Sequence, residues 1–336
     1  MGNTSGHKHK PRSGSLAYTP RKRAKSPISR NTTFASSDKV KLLGFPGYKA
    51  GMTHVLKMDD RPNAITKNKE IFVPVTVIET PPVVICAIRG YTTTSYGDKA
   101  VSEVWASDLS KDLGRVMCTL KNEHDVSAFE QKVEDGSITQ LRVIVSTQPR
   151  LIKLKKTPDV MEYAVGGSTL EEQLAFCKEH LGKQVSVKDV FEDGNMIDVS
   201  GITKGKGFQG PVKRFGVKIQ GRKVNDARRH VGCIGPWKPS RTMWTVAMAG
   251  QVGFHQRTEF NKRVLRVYSK DEKDITPDGG FNHYGIIHSD YILVRGSVPG
   301  PAKRMVRVRD STRPPHHIPE GKPNLTFLST SSGQGD

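Results

Sequence analysis

Nowhere in these 336 residues is there an apolar run near the ~18 residues that would mark a membrane-spanning helix. The N-terminus also lacks the apolar core of a secretory signal, so a soluble intracellular protein is expected. Cysteine is sparse: Cys86, Cys118, Cys177 and Cys233 are scattered, and none forms a C-x-x-C pair. That speaks against a zinc knuckle and leaves four ordinary thiols, expected to be mostly buried, in a reducing compartment. Aromatics supply only 7% of the chain and hydrophobic residues 35%, which is lean for a compact enzyme of this size. No serine- or cysteine-nucleophile motif occurs, and spacing picks out no acid/base pair. Cys177 and His180 stand three apart on a predicted helix, but no second pair joins them to hold a metal. The expectation is a protein that is not an enzyme, with no catalytic residue, metal, cofactor or small-molecule substrate.

Positive charge is what the chain has in excess. Its 53 lysines and arginines face 33 acids, for a net +20 and a pI near 9.8. A field of that sign attracts a polyanion: RNA, DNA or an anionic membrane surface. The charge is unevenly spread, since residues 101–200 hold 17 acids and 12 bases. The first thirty residues contain Lys8, Lys10, Arg12, Arg21, Lys22, Arg23, Lys25 and Arg30 and no acid, with Gly, Ser and Pro between them. Such an arm has almost nothing to bury and is expected to be disordered until phosphates order it. The bland alternative is a solvated or targeting tail.

Strand signals begin near Lys39. Val73, Val75 and Val77 alternate along Phe72–Ile78, and after the break at Pro81-Pro82 the run Val83–Ile88 reads as buried. Val187–Val199 reads as a hairpin turning at Asp193-Gly194. Later strands are predicted at Arg263–Tyr268, Tyr291–Arg295 and Met305–Arg309. Short, separated, turn-rich strands favour a barrel over a doubly wound sheet. In the acidic block, Ser168 with Glu171 offers a capping box, and Leu170, Leu174, Cys177 and Leu181 share a helical face that stops at Gly182. A second helix is predicted over Asp125–Val133 and a strand over Gln140–Val145. The segment after Asp310 is rich in Pro, Ser and Gly and is expected to lack a core of its own.

Gly205-Lys206-Gly207-Phe208-Gln209-Gly210 matches G-x-G-x-x-G, but the strings a kinase also needs are absent. A dinucleotide fold needs a helix after the glycines, and Pro211–Gly216 make a poor one. From Lys204 to Arg241 there are eleven lysines and arginines against the single acid Asp226. Glycines there let backbone amides approach phosphate while the cations neutralise it, so the segment suits a nucleic-acid backbone rather than phosphoryl transfer. An ordinary solvated basic face is the alternative. Trp237, between Gly235-Pro236 and Lys238-Pro239, has poor local support for a core and suits stacking on an unpaired base. Trp244, beside Met243, Val246 and Met248, reads either as a further contact or as an anchor for the chain's return. Trp105 reads as a core residue. A chromatin-like DNA-binding protein and a nucleotide-using enzyme remain the alternatives to an RNA-binding one.

Val199–Gly216 (VSGITKGKGFQGPVKRFG) resembles the signature of the universal large-subunit ribosomal protein three, or L-three, family. Val231–Trp237 and Met243–His255 resemble the central loop of its archaeal and eukaryotic branch. Gly47–Thr53 is similar to its first barrel hairpin, and Gly296–Gly300 to its last barrel strand and turn. These stretches occur in the family's order over nearly the whole chain, which is most like an archaeal member. Where related eukaryotic sequences carry histidine after the loop-tip tryptophan, this chain has Lys238, so no role for that imidazole is carried over. The resemblance implies a mainly β fold with an α+β insert: a six-stranded translation-protein-type β-barrel, a long basic loop and an N-terminal extension. Its segments are a basic arm over 1–38, barrel parts over 39–94, 183–211 and 261–310, an insert over 95–182, a penetrating loop over 212–260 and a tail over 311–336. It also implies a cytoplasmic structural constituent of the large ribosomal subunit that binds 23S-type rRNA directly and supports early assembly. The loop would shape the peptidyl-transferase region, with rRNA and neighbouring ribosomal proteins as partners and no membrane. The expected rRNA contacts in the arm are Lys8, Lys10, Arg12, Arg21, Lys22 and Arg23. Around the glycines they are Lys204, Lys206, Gly207, Phe208, Lys213 and Arg214. In the loop they are Arg222, Lys223, Arg228, Arg229, Trp237, Lys238, Arg241 and Trp244, and on its return His255 and Arg257.

Overall fold

A computed structural model describes residues 12–118, 126–319 and 321–331. Two compact units emerge: a sheet unit of Ile28–Gly201 with Arg257–Asp336, and an arm-and-loop unit of Met1–Pro27 with Ile202–Gln256. The fold is mainly β. In chain order the strands begin with β1 (Gly44–Met58), β2 (Glu70–Glu79), β3 (Val83–Thr94), β4 (Gly97–Trp105), β5 (Gln140–Ser146), β6 (Val160–Ala164) and β7 (Gln184–Val185). They continue with β8 (Met196–Ile202), β9 (Phe208–Gln209), β10 (Gly250–Gln251), β11 (Gln256–Tyr268), β12 (Tyr291–Arg295), β13 (Met305–Asp310) and β14 (Leu325–Leu328). The α-helices are α1 (Val126–Glu134), α2 (Leu170–His180) and α3 (Pro211–Phe215).

The larger sheet runs β13-β8-β11-β12-β2-β1-β14, and β1 also pairs with β13. Val73, Val75 and Val77 are buried on one side of β2 while Phe72 and Pro74 face outward, as the two-residue strand period requires. The inward side meets Val55, Leu265, Leu293 and Phe281 in one apolar core. A second sheet, β4-β3-β5-β6 with β7 on β3, carries α1 and α2 and shares a core with the first through Phe45, Tyr48, Val143 and Tyr163. Asp198 is fully buried and accepts hydrogen bonds from the backbone N–H groups of Asn261 and Thr312, from the Thr312 hydroxyl and from Arg309. It ties the chain beyond β13 to the sheet.

Several expectations need correction. Val187–Phe191 is a turn, not the first arm of a hairpin. Val187, Val190 and Phe191 are all buried at helical rather than alternating spacing, and the Val187 carbonyl accepts from the Val190 and Phe191 amides at 3.1 and 3.0 Å. The cap of α2 is Thr169 with Glu172, one residue beyond the Ser168–Glu171 pair; both pairs fit the motif, and the geometry selects the second. Residues 83–94 and 184–185, expected among barrel segments, pair within the second sheet. Gly47–Thr53 lies in the first strand of the β1–β2 hairpin, as the resemblance implied, with a bulge between Lys49 and Gly51. As expected of a segment with no core of its own, the chain after Asp310 lends β14 to β1 and packs Leu328 into the core of the larger sheet. Trp105 is half-buried, its indole N–H donating to Glu103 at 3.3 Å. Of the thiols, Cys86 and Cys177 are buried but Cys118 and Cys233 are exposed. Burial pushes Cys86 up to about 11 and Cys177 up to about 12, which keeps both thiols protonated and inert.

Candidate nucleic-acid interface

The arm-and-loop unit grows from an antiparallel stem. The Thr203 amide donates to the His255 carbonyl at 3.0 Å, and Lys206 to Val252 at 2.9 Å. The ladder continues to Gln209 opposite Gly250. Gly253 has φ +73°, and a Cβ there would lie 2.0 Å from the Lys204 carbonyl oxygen, so only glycine fits. The stem leads into α3, the helix that Pro211–Gly216 had been expected not to form. Proline at its first turn and Gly216 in the left-handed conformation allow a single turn. Five residues make neither a dinucleotide helix nor its anion site.

Arg214 of α3 is the brace of this unit. Its guanidinium donates to the carbonyls of Gln251 at 3.1 Å, Met248 at 3.0 Å and Arg21 at 3.4 Å. Arg21 returns a bond to the Arg214 carbonyl at 2.7 Å, and its guanidinium lies 4.3 Å from the Phe215 ring centroid. Gly14 passes so close that a Cβ would approach Phe215 to 2.6 Å. Burial, then the neighbouring Arg21 cation, lowers the proton affinity of Arg214, which nevertheless stays charged. The arm is held again where His255 Nδ1 meets the Lys22 carbonyl at 2.9 Å and the Ala24 amide donates to Phe254 at 2.8 Å.

The candidate residues therefore separate by environment. Arg21, Arg214 and His255 are engaged inside the unit, as braces between segments about two hundred positions apart. Arg12, Lys22, Arg23, Lys204, Lys206, Gly207, Phe208, Lys213, Arg222, Lys223, Arg228, Arg229, Lys238 and Arg241 are exposed. Trp237 is 90% exposed, Phe208 76% and Trp244 68%, so none of the three fills a core within the chain. Arg257 is half-buried and falls in the sheet unit. Lys8 and Lys10 lie outside the described residues. Lys25 and Lys218, absent from the candidate set, are equally exposed. Phe215 and Gly14 were missed altogether, because only the tertiary return of the arm gives them a role.

Between the stem and Ala249 the chain has no helix or strand beyond α3; turns and bends carry it, and the Gln220 amide donates to the Arg228 carbonyl at 2.9 Å, joining the ends of the loop 220–228. The residues of this unit hold eighteen lysines and arginines against Asp226 alone; those of the sheet unit hold thirty-five against thirty-two acids. Nearly all of the net positive charge thus belongs to the unit that also displays the exposed Phe208, Trp237 and Trp244. That combination can neutralise phosphates and stack on bases.

Comparison with known proteins agrees with this geometry. The family model described as "Ribosomal protein L3" matches residues 5–335. The "Large ribosomal subunit protein uL3" of Archaeoglobus fulgidus is 50% identical over 331 residues, covering 97% of this chain and 99% of that protein. Its counterpart in Methanopyrus kandleri is 48% identical over 332 residues, covering 97% and 92%. That of Methanocaldococcus jannaschii is 46% identical over 336 residues, covering 97% and 98%. With a family match across almost its whole length and near-full-length archaeal relatives at this identity, the chain belongs to the ribosomal protein L3 family, whose members are named as ribosomal constituents and not as enzymes.

Proposed function

We propose that this protein is a structural constituent of the large ribosomal subunit in the cytoplasm, binding 23S-type rRNA directly and supporting early subunit assembly. Six strands of the larger sheet form a translation-protein-type barrel: the path β13-β8-β11-β12-β2-β1 and the β1–β13 pairing support a closed ring. The arm of residues 1–38 and the loop of residues 212–260 penetrate between RNA helices. Lys204, Lys206, Lys213, Arg222, Lys223, Arg228, Arg229, Lys238 and Arg241 neutralise phosphates, with Lys22 and Arg23 doing so from the arm. Trp237 stacks or wedges at the loop tip and shapes the RNA of the peptidyl-transferase region, while Arg21, Arg214 and His255 hold arm and loop in place for that contact. Neighbouring ribosomal proteins are the other partners.

The observation that carries this reading is the confinement of almost all net charge, and of two exposed tryptophans, to one unit. Binding to a folded large-subunit rRNA fragment and to duplex DNA at matched salt tests it, since charge alone does not distinguish the two. The rRNA fragment should win, and equal affinity would favour a general DNA-binding protein. Trp237→Ala should weaken rRNA binding by about 1–3 kcal/mol, the worth of one stacked base. Its melting temperature should not move; an unfolded variant would mean that the indole is structural.

A further inference from the structure

The sheet unit presents a face of a different chemistry. On the outward side of β2-β1-β14, the neighbouring positions Phe72 and Pro74, Met52, His54 and Leu56, and Phe327 point away from the core valines. His54 stacks on Phe72, with ring centroids 4.7 Å apart at 28°, and lies 6.3 Å from the Phe327 ring. Phe72 is 63% exposed and Phe327 50% exposed, so the shelf is open rather than folded under a loop. One end runs into a cavity of about 330 Å³ that Met52 and His54 share with Phe281, Asn282, Ser329 and Ser331. The lining includes no lysine, arginine or acid. Beyond β14 the larger sheet ends, and among the described residues no strand lies against that edge.

We infer that this shelf and edge dock an extended, uncharged, apolar segment of a neighbouring protein, one side chain of which enters the cavity. Three observations choose protein over RNA. No lysine or arginine stands among the shelf residues, whereas phosphate binding depends on cations. Glu70, which accepts the Thr326 hydroxyl, sets a carboxylate at the margin where a phosphate backbone would be repelled. The sheet unit as a whole is close to charge balance, so it lacks the field that gathers RNA on the other unit. Aromatic residues without charge are the signature of a protein interface core, and an open β edge supplies backbone groups for an added strand. An exposed edge beside apolar side chains is also an aggregation risk that a permanent partner removes.

This inference rests on the chain being a large-subunit constituent, and one experiment separates the two failures. A photoreactive benzoylphenylalanine replaces Phe327 in one full-length variant and Trp237 in another, and large subunits purified from cells are irradiated and digested. The probe at 327 should form an adduct with an uncharged apolar peptide of another subunit protein, and the probe at 237 with a nucleotide. A nucleotide adduct at 327, a lysine- or arginine-rich peptide there, or no adduct there at all would overturn the docking face while leaving the rRNA assignment intact. Absence of the protein from subunits would sink both. As a second measurement, F72D/F327D should reduce retention of the crosslinked protein in subunits at least about tenfold. Its affinity for the isolated rRNA fragment should stay unchanged; full retention by a folded variant would also overturn the docking face.

Discussion

Gly253 stands where a left-handed backbone and a neighbouring carbonyl both demand the absence of a side chain. An alanine there bears about 1–2 kcal/mol of conformational strain before the clash with Lys204 is counted. Gly253→Ala should therefore open the stem locally, with the amides of Val252 and Phe254 exchanging roughly 5–30-fold faster, the factor that one or two kcal/mol gives. Exchange in β2 and β12 should not change; unaltered exchange at Val252 would show that the stem yields without cost. At this scale the sequence marks cations and aromatics by type but cannot sort them by role. Arg21 and Arg214 look like any other arginines of a basic run. Their assignment as braces depends on a carbonyl exchange across 193 positions, which no local pattern encodes.

Elements were legible wherever one period ruled a segment and obscure wherever two readings shared the same residues. Strand positions were legible to within a residue or two in β2, where the valines alternate with exposed Phe72 and Pro74, and in β12 and β13, which are short runs buried along almost their whole length. Val187–Phe191 was misread because a short apolar run at a turn mimics a strand until its partner is known. The wrong cap of α2 has the same origin, since Ser168 and Thr169 each have a glutamate three residues on. The structure makes the distinction testable. Thr169→Ala should cost about 1 kcal/mol. For a unit of this size that corresponds to a melting shift of about 2–4 °C. Ser168→Ala should come close to wild type in the same calorimetric scan. Equal losses for the two variants would show that the helix start is shared between them.

For the whole molecule, charge segregation gives the proposed rRNA binding a quantitative form. Each phosphate neutralised by a lysine releases counterions and adds about 0.7–0.9 to the magnitude of the slope of log affinity against log salt. Lys204, Lys206 and Lys213 are exposed and belong to the strongly basic unit, so replacing all three with alanine should lower that magnitude by about 2–3. Lys67, Lys69 and Lys99 are just as exposed but belong to the nearly balanced sheet unit, and the same triple replacement there should leave the slope where it was. A general polycation would respond alike to both sets, because only its total charge would matter. Titrating the two triple variants and the wild type against one large-subunit rRNA fragment, from low to physiological salt, decides the point. Equal reductions would mean that charge is used without regard to where the fold places it, and the division of labour between the units would have to be abandoned.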